Sequence, residues 1–301
     1  MVLRILDVAE STYYDRKQRE EQQQANATLP ASSGKGRPVP GFSLTLDGTT
    51  RIADEQMAEW LMELAEGEEQ AYGYKLLTQC IRDRYHVRLD KKKGYRMCDE
   101  LGLLQNAPKR VSSHPRRLPK NRIVTGANQL WQMDIKYGYA VEQRRFFFVL
   151  SIIDVLDRVV VQQYRGTVCE AKHVVQTLWR AVQSRIQPGE AMPVIRTDNG
   201  PQFVSTLFGD TCESMGVVHE RIPPRTPNMN ASIESFHSIL ERELFSRREF
   251  TTLDEAYQAL DEYMDFYNNR RMHGSCKRMA PARFSEWLKS QPDTATFHKA
   301  M

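Results

Sequence analysis

Hydrophobic spacing changes character near residue 126. Upstream, between residues 54 and 104, apolar side chains recur three and four positions apart, the period of an amphipathic helix. That spacing predicts helices over 54–66, closed by Gly67, and over 73–86, with Leu76, Leu77, Cys80, Ile81 and Tyr85 on one stripe. A third is expected from a cap at Asp90 to a stop at Gly102. Downstream the period shortens. Residues 129–135 read as a strand, 145–153 as a fully apolar one and 159–164 as a third, together a meander. Strands then alternate with helices: a helix over 170–183, a short buried strand over 193–197 ending at Asp198, and a helix over 206–215. A strand over 217–222 and a long helix over 231–247 follow. The last helix opens on a capping box, Thr252 with Glu255, and carries the stripe Leu253, Ala256, Tyr257, Leu260, Met264 and Tyr267. A meander followed by alternation predicts an α/β fold whose mixed sheet is covered by helices on both faces.

Segments without periodicity mark the boundaries. Residues 1–20 hold a short apolar cluster (Leu3, Ile5, Leu6, Val8) and a cap at Ser11, half of a helix-turn-helix. The expected organisation is that remnant over 1–20, a linker over 21–50, a small helical DNA-binding domain over 51–106, a basic proline-punctuated linker over 107–125, the α/β domain over 126–288 and a tail over 289–301. At 301 residues and 41% hydrophobic, the chain can build a core for each of two modest domains.

The net charge of +4 says little, but its distribution says more. Residues 51–70 carry one Arg against seven acids, whereas residues 75–122 carry fourteen Lys or Arg against four acids. Such a basic block suits a polyanion binder, although a solvated basic face gives the same pattern. The longest apolar stretch, residues 146–153, is far below the roughly 20 residues of a membrane span, and Asp7 and Glu10 break any secretory signal. Five scattered cysteines without a Cys-x-x-Cys pair argue against a disulfide framework or a Cys-based zinc site. A cytoplasmic, nucleoid-associated protein without membrane contact is expected.

Three carboxylates stand out. Asp134 sits mid-strand among Trp131, Met133 and Ile135, where a charge is costly unless paired or metal-bound. Asp198 ends an apolar strand, the place where α/β sheets bind ligands; an Asp after a strand is also an ordinary turn residue. Glu234 lies in the first turn of a helix, with 35 residues between it and Asp198. Three converging carboxylates repel one another unless divalent cations sit among them, and hard oxygen donors suit Mg²⁺ or Mn²⁺. A two-metal site of this kind serves phosphodiester cleavage. Asp154 reads as a partner for an Arg or a backbone amide, His237 as part of a solvated helix face near the cleft, and Trp131 and Phe203 as core. No glycine-rich phosphate loop or dinucleotide fingerprint is present.

These residues resemble a family. Asp134, Asp198 and Glu234 match the D, D-35-E pattern of retroviral-integrase-like transposases, as do Trp131-Gln132-Met133-Asp134-Ile135, Ile153-Asp154, Thr197-Asp198-Asn199-Gly200-Pro201-Gln202-Phe203, the run from Pro227 to His237 and Tyr267-Asn268-Asn269-Arg270-Arg271. The chain is similar to bacterial insertion-sequence transposases encoded in two overlapping frames, and in particular to the second-frame product of the insertion-sequence-three type. The resemblance runs from about Ala71 to Phe284. It implies an RNase H-like catalytic core with a five-stranded mixed sheet, preceded by a helix-turn-helix unit. It also implies two Mg²⁺ ions, with Mn²⁺ as substitute, held by Asp134, Asp198 and Glu234. The implied reaction cuts DNA ends with water and joins the freed 3′-hydroxyl to target DNA.

Expected DNA contacts are Lys75, Lys91, Lys92, Lys93, Arg96, Arg116, Arg117, Lys136, Asn230 and Arg242. Expected partners are double-stranded DNA, further copies of the chain, and a first-frame product as partner or fusion. The family commonly has Lys or Arg seven residues after the catalytic Glu; this chain has Glu241. Two other readings use the same residues: a DNA-binding regulator or inactive remnant, and a metal-dependent nuclease without strand transfer.

Overall fold

The computed structural model describes residues 41–105, 122–223, 227–291 and 299–300. The expected helix-turn-helix remnant and most of the basic linker, with Arg116 and Arg117, lie outside them.

A two-stranded sheet of β1 (Phe42–Leu44) and β2 (Arg51–Ala53) leads into three helices, α1 (Asp54–Glu66), α2 (Tyr74–Tyr85) and α3 (Lys91–Glu100). Their stops and starts follow the sequence signals. Gly67 closes α1, the Asp90 carboxylate accepts the Lys92 amide at 2.9 Å, and Gly102 takes the left-handed conformation after α3. Gly94 is needed inside α3, because a Cβ there would collide with Thr78 of α2.

After β3 (Ile123–Val124), which pairs with β9 (Lys299–Ala300), come the strands that build the main sheet. They are β4 (Leu130–Ala140), β5 (Arg145–Asp154), β6 (Val160–Gly166), β7 (Val194–Thr197) and β8 (Val218–Arg221), in the order β6-β5-β4-β7-β8. The meander β4–β5–β6 is antiparallel, and β7 and β8 join parallel. This is the mixed α/β sheet that the strand–helix alternation predicts, with the five strands of the RNase H-like core that the resemblance implies. Helices α4 (Ala171–Arg185) and α5 (Thr206–Ser214) supply the crossovers; they cover the face carrying Trp131, Met133, Leu150 and Ile152. The opposite face, with Phe147, Val149 and Ile153, packs on α6 (Ala231–Leu240) and α7 (Leu253–Asp265). A final helix, α8 (Pro281–Lys289), closes a smaller cluster with Leu130, Val155 and Leu156. Trp131 and Phe203 are core residues, as expected.

Residues 54–104 pack into the same core as the sheet. One hydrophobic cluster runs from Met57, Leu61, Leu77 and Ile81 through to Ile233, Leu240 and Leu260. The Tyr72 hydroxyl accepts the Met272 amide at 2.8 Å, and Arg270 bridges to Glu68 at 2.9 Å.

Two long helices are interrupted. The helix expected over 231–247 is α-helical only to Leu240; residues Glu241–Phe245 form a π-helical turn. The same happens after α7 at Phe266–Arg270. Side-chain period is blind to the difference between four- and five-residue hydrogen bonds. The capping box is also modified: Thr252 Oγ1 accepts the Glu255 amide at 3.2 Å, but the Glu255 carboxylate takes the Thr251 amide at 2.9 Å.

Candidate active site

Side chains at even positions of β4 face α6, and the two elements run alongside each other in step. Gln132 accepts from the Ser232 and Ile233 amides, Asp134 meets His237, and Lys136 meets Glu241. Two strand residues advance about 6.6 Å and four helical residues about 6 Å, so each strand position finds a partner one helical turn on. Glu234 lies between the first two of these contacts.

Asp134 is half-buried; its Oδ1 accepts the Ile135 amide at 2.8 Å and its Oδ2 lies 3.4 Å from His237 Nδ1. Partial desolvation and then the Asp134 charge raise the Glu234 carboxyl above its ordinary range, with His237 acting in the opposite sense. Asp134 and Glu234 therefore share one electrostatic environment. Asp198 comes from the adjacent strand. The parallel register ends at the pair Gln132–Arg196, and Asp198 follows directly after the last residue of β7, Thr197. The exposed Asp198 side chain turns onto its own loop, where Oδ1 accepts the Gly200 amide at 2.9 Å. Among the described residues, no three His, Cys, Asp or Glu side chains stand close enough to grip a metal ion together. Asp134 and Glu234 are brought together, whereas Asp198 follows the end of the neighbouring strand with its carboxylate held on its own loop.

The donor chemistry fits a divalent cation. Asp134 and Glu234 offer carboxylate oxygens and His237 a ring nitrogen, and a cation between the two carboxylates would relieve the part of the Glu234 rise that comes from the Asp134 charge. Buried polar atoms without a hydrogen-bond partner also surround this place. His237 Nε2 is one, Oγ of Ser151, directly across from Asp134 on β5, is another, and Oδ1 of Asn230, preceding α6, is a third.

His237 was expected on a solvated face, yet it is 9% exposed and faces Asp134. Its partner Asp134 is 103 residues away in the chain, and only the docking of α6 on β4 turns this helix position inward. Asp154 is fully buried as a structural acceptor, taking the Asn128 and Leu156 amides at 2.6 and 2.8 Å and Trp131 Nε1 at 3.2 Å. Burial and the neighbouring Asp157 charge push its carboxyl up, against Arg185.

The expected DNA contacts divide. Lys75, Lys91 and Lys92 are exposed. Lys93 is not available as expected: it ion-pairs with Asp54 at 2.5 Å and donates to Ser43 at 3.1 Å, because α3 packs its first turn against the start of α1. Asn230 is likewise buried, 4% exposed, where the chain enters α6. Arg96 lies 3.5 Å from Glu100, Lys136 2.7 Å from Glu241 and Arg242 3.1 Å from Glu243. Lys136 thus answers Glu241 across the strand–helix interface.

Known proteins resemble this chain over most of its length. Residues 124–227 and residues 215–281 each match an integrase core domain, and together they span more than half of the chain. A 39.2 kDa protein of insertion element IS476 from Xanthomonas euvesicatoria is 28% identical over 239 residues, 79% of this chain and 67% of its own. A 31.7 kDa protein of insertion element IS407 from Burkholderia multivorans is 26% identical over 80% of this chain and 84% of its own. The transposase of insertion sequence element IS904 from Lactococcus lactis is 29% identical over 54% of this chain and 63% of its own. With Asp134, Asp198 and Glu234 falling on strand, strand end and helix of an integrase core, the chain belongs to the retroviral-integrase-like family of bacterial insertion-sequence transposases.

Proposed function

We propose that Asp134, Asp198 and Glu234 hold two divalent cations, magnesium with manganese as substitute, and that with them this transposase cuts element DNA ends and joins the 3′-hydroxyl to target DNA. The observation that carries the reading is the placement of Asp134 on β4 with Glu234 feeling its charge from α6, while Asp198 follows the end of β7, the strand paired with β4. When bound, such cations activate an attacking water or hydroxyl and stabilise the leaving oxygen of a phosphodiester. Asp134 is oriented by the Ile135 amide and His237. Asp198 would complete the set once its carboxylate is released from the Gly200 amide. Glu234, near the N-terminus of α6, closes the site from the helix side.

The exposed Lys75, Lys91 and Lys92 supply phosphate contacts to the DNA duplex. Further copies of the chain and a first-frame product, as partner or fusion, complete the assembly on the two DNA ends, within the nucleoid. No helix among the described residues is long and apolar enough to cross a membrane.

Cleavage of labelled element ends in Mg²⁺ tests the reading. Wild-type protein should give both nicked ends and joined product, and Asp198→Asn should give neither. Cleavage untouched by that substitution overturns the assignment; nicks without joined product reduce the activity to that of a nuclease.

A further inference from the structure

Two buried polar side chains lie directly behind the aspartates. Gln132 and Arg196 are both 0% exposed. Gln132 stands two residues before Asp134 on β4 and shares its sheet face, and Arg196 stands two residues before Asp198, which follows the end of β7. The two are direct partners in the β4–β7 register.

Both side chains end on one acceptor. Gln132 Nε2 donates to the Met229 carbonyl at 2.7 Å, and Arg196 Nη1 donates to the same oxygen at 2.9 Å. The Gln132 amide oxygen then accepts the Ser232 and Ile233 amides, both at 3.0 Å. Those N–H groups belong to the first turn of α6, which has no intrahelical acceptors for them. Asn230, the residue at the cap position, makes no side-chain cap bond. A residue about a hundred positions upstream in the chain therefore caps the helix that bears Glu234. Glu220 of β8 fixes the other hand of this grip, holding Arg196 Nε and Nη2 at 3.1 and 3.0 Å.

We infer that Gln132 and Arg196 are positioning residues for the cation site: they set the height and rotation of the start of α6, and with it Glu234, against the strand positions of Asp134 and Asp198. The inference rests on the reading of those three carboxylates as cation holders. Phe236, Ile239 and Leu240 pack the later turns of α6 into the core, so losing the grip leaves the helix docked but its first turn, with Ile233 and Glu234, freer to shift. Such a shift costs alignment rather than fold. Residues that orient ligand-bearing groups affect metal affinity or activity by about 10–100-fold.

The test uses full-length Gln132→Met, Gln132→Glu and Asp198→Asn. Two readouts are needed: Mn²⁺ affinity of the protein without DNA, from the paramagnetic resonance signal of free Mn²⁺, and steady-state cleavage in Mg²⁺. Gln132→Met should weaken Mn²⁺ binding and lower kcat, each by about 10-fold or more, and leave KM for DNA within about twofold. Gln132→Glu keeps the acceptor for Ser232 and Ile233 but not the donor to Met229, and should fall between Met and wild type. Wild-type Mn²⁺ affinity and kcat in Gln132→Met, whatever its melting temperature, overturn the inference, as does a loss confined to KM. Should Gln132→Met not fold, the same two readouts on Gln132→Glu decide. Asp198→Asn separates the layers. If it keeps Mn²⁺ binding and cleavage, the carboxylate reading fails and takes this inference with it. If it loses both while the Gln132 variants lose neither, positioning alone fails.

Discussion

Replacing Arg271 with Met removes one half of a buried ion pair beside the contact between residues 54–104 and the sheet. Arg271 Nη2 and Nε donate to the two carboxylate oxygens of Glu243 at 2.6 and 2.7 Å, and both side chains are nearly inaccessible, 6% and 3% exposed. The guanidinium also lies 5.9 Å from the ring centres of Tyr72 and Tyr267. Burial pushes Glu243 up, but Arg271, with Arg242 and the Tyr263 hydroxyl, holds its carboxyl below the ordinary range. Removing one member of such a pair typically costs about 3–5 kcal/mol because the remaining charge is stranded. The Tyr263 hydroxyl, 3.0 Å from Glu243 Oε2, and the exposed Arg242 remain, so the low end applies, about 3 kcal/mol. For a unit of this size that lowers Tm by about 6–12 °C.

The penalty should also shrink in acid. In the wild type a lowered Glu243 contributes stability that is present above its unfolded pKa and lost as pH falls. In Arg271→Met the desolvation of Glu243 dominates and raises it, so protonation relieves the variant. Urea unfolding at pH 7 and pH 5 measures both effects, and Glu243→Gln with Arg271→Met should recover part of the loss. A loss under about 1 kcal/mol, or a penalty that grows in acid, refutes the reasoning.

Gly138 lies across from Phe147, whose ring meets Phe245, Phe250 and Tyr257 at 6.0, 6.3 and 5.8 Å; a Cβ at 138 would run into a ring with nowhere to retreat. Gly138→Ala should cost about 1–3 kcal/mol in urea unfolding, partly restored by Phe147→Leu, and an unchanged midpoint contradicts this. Neutralising Lys91 and Lys92 should weaken DNA binding and flatten its salt dependence by roughly 0.9 per lost contact, whereas Lys93→Gln should lower Tm and leave that slope alone. Thr251 and Arg248 hold Glu255 down at about 2. Its contribution to stability is therefore present above the ordinary carboxylate range and lost as pH falls toward about 2. Glu255→Gln should remove that part of the acid unfolding curve followed by circular dichroism, and an identical curve would count against it.

The legible parts of this molecule are those written in local pattern. Alternation and helical period gave the five strands and their crossovers, and the position of Asp134 mid-strand and Asp198 at a strand end marked the site, because a charge in an apolar run demands a reason. What stayed hidden depends on pairs distant in the chain. Gln132 reads as a polar residue in an amphipathic strand; only the approach of α6 makes it a cap. His237 reads as surface until α6 is seen to dock on β4 opposite Asp134. Lys93 belongs to a triple-lysine run that suggests phosphate, and its neighbour Asp54 lies 39 residues upstream. Lys136 reads as a DNA contact and Glu241 as a departure from the family pattern, whereas together they fill one rung between strand and helix. The π-helical turns escaped because the apolar stripe continues through them.

Crystals soaked in Mn²⁺ and measured at its absorption edge give the sharpest view of the site. Anomalous density between Asp134 and Asp198, touching Glu234 and lost in Asp198→Asn, is the expected result. Density absent there at saturating Mn²⁺ with DNA bound, or centred on other side chains, would mean that these carboxylates do not share a cation, and the strand-joining chemistry would need another source.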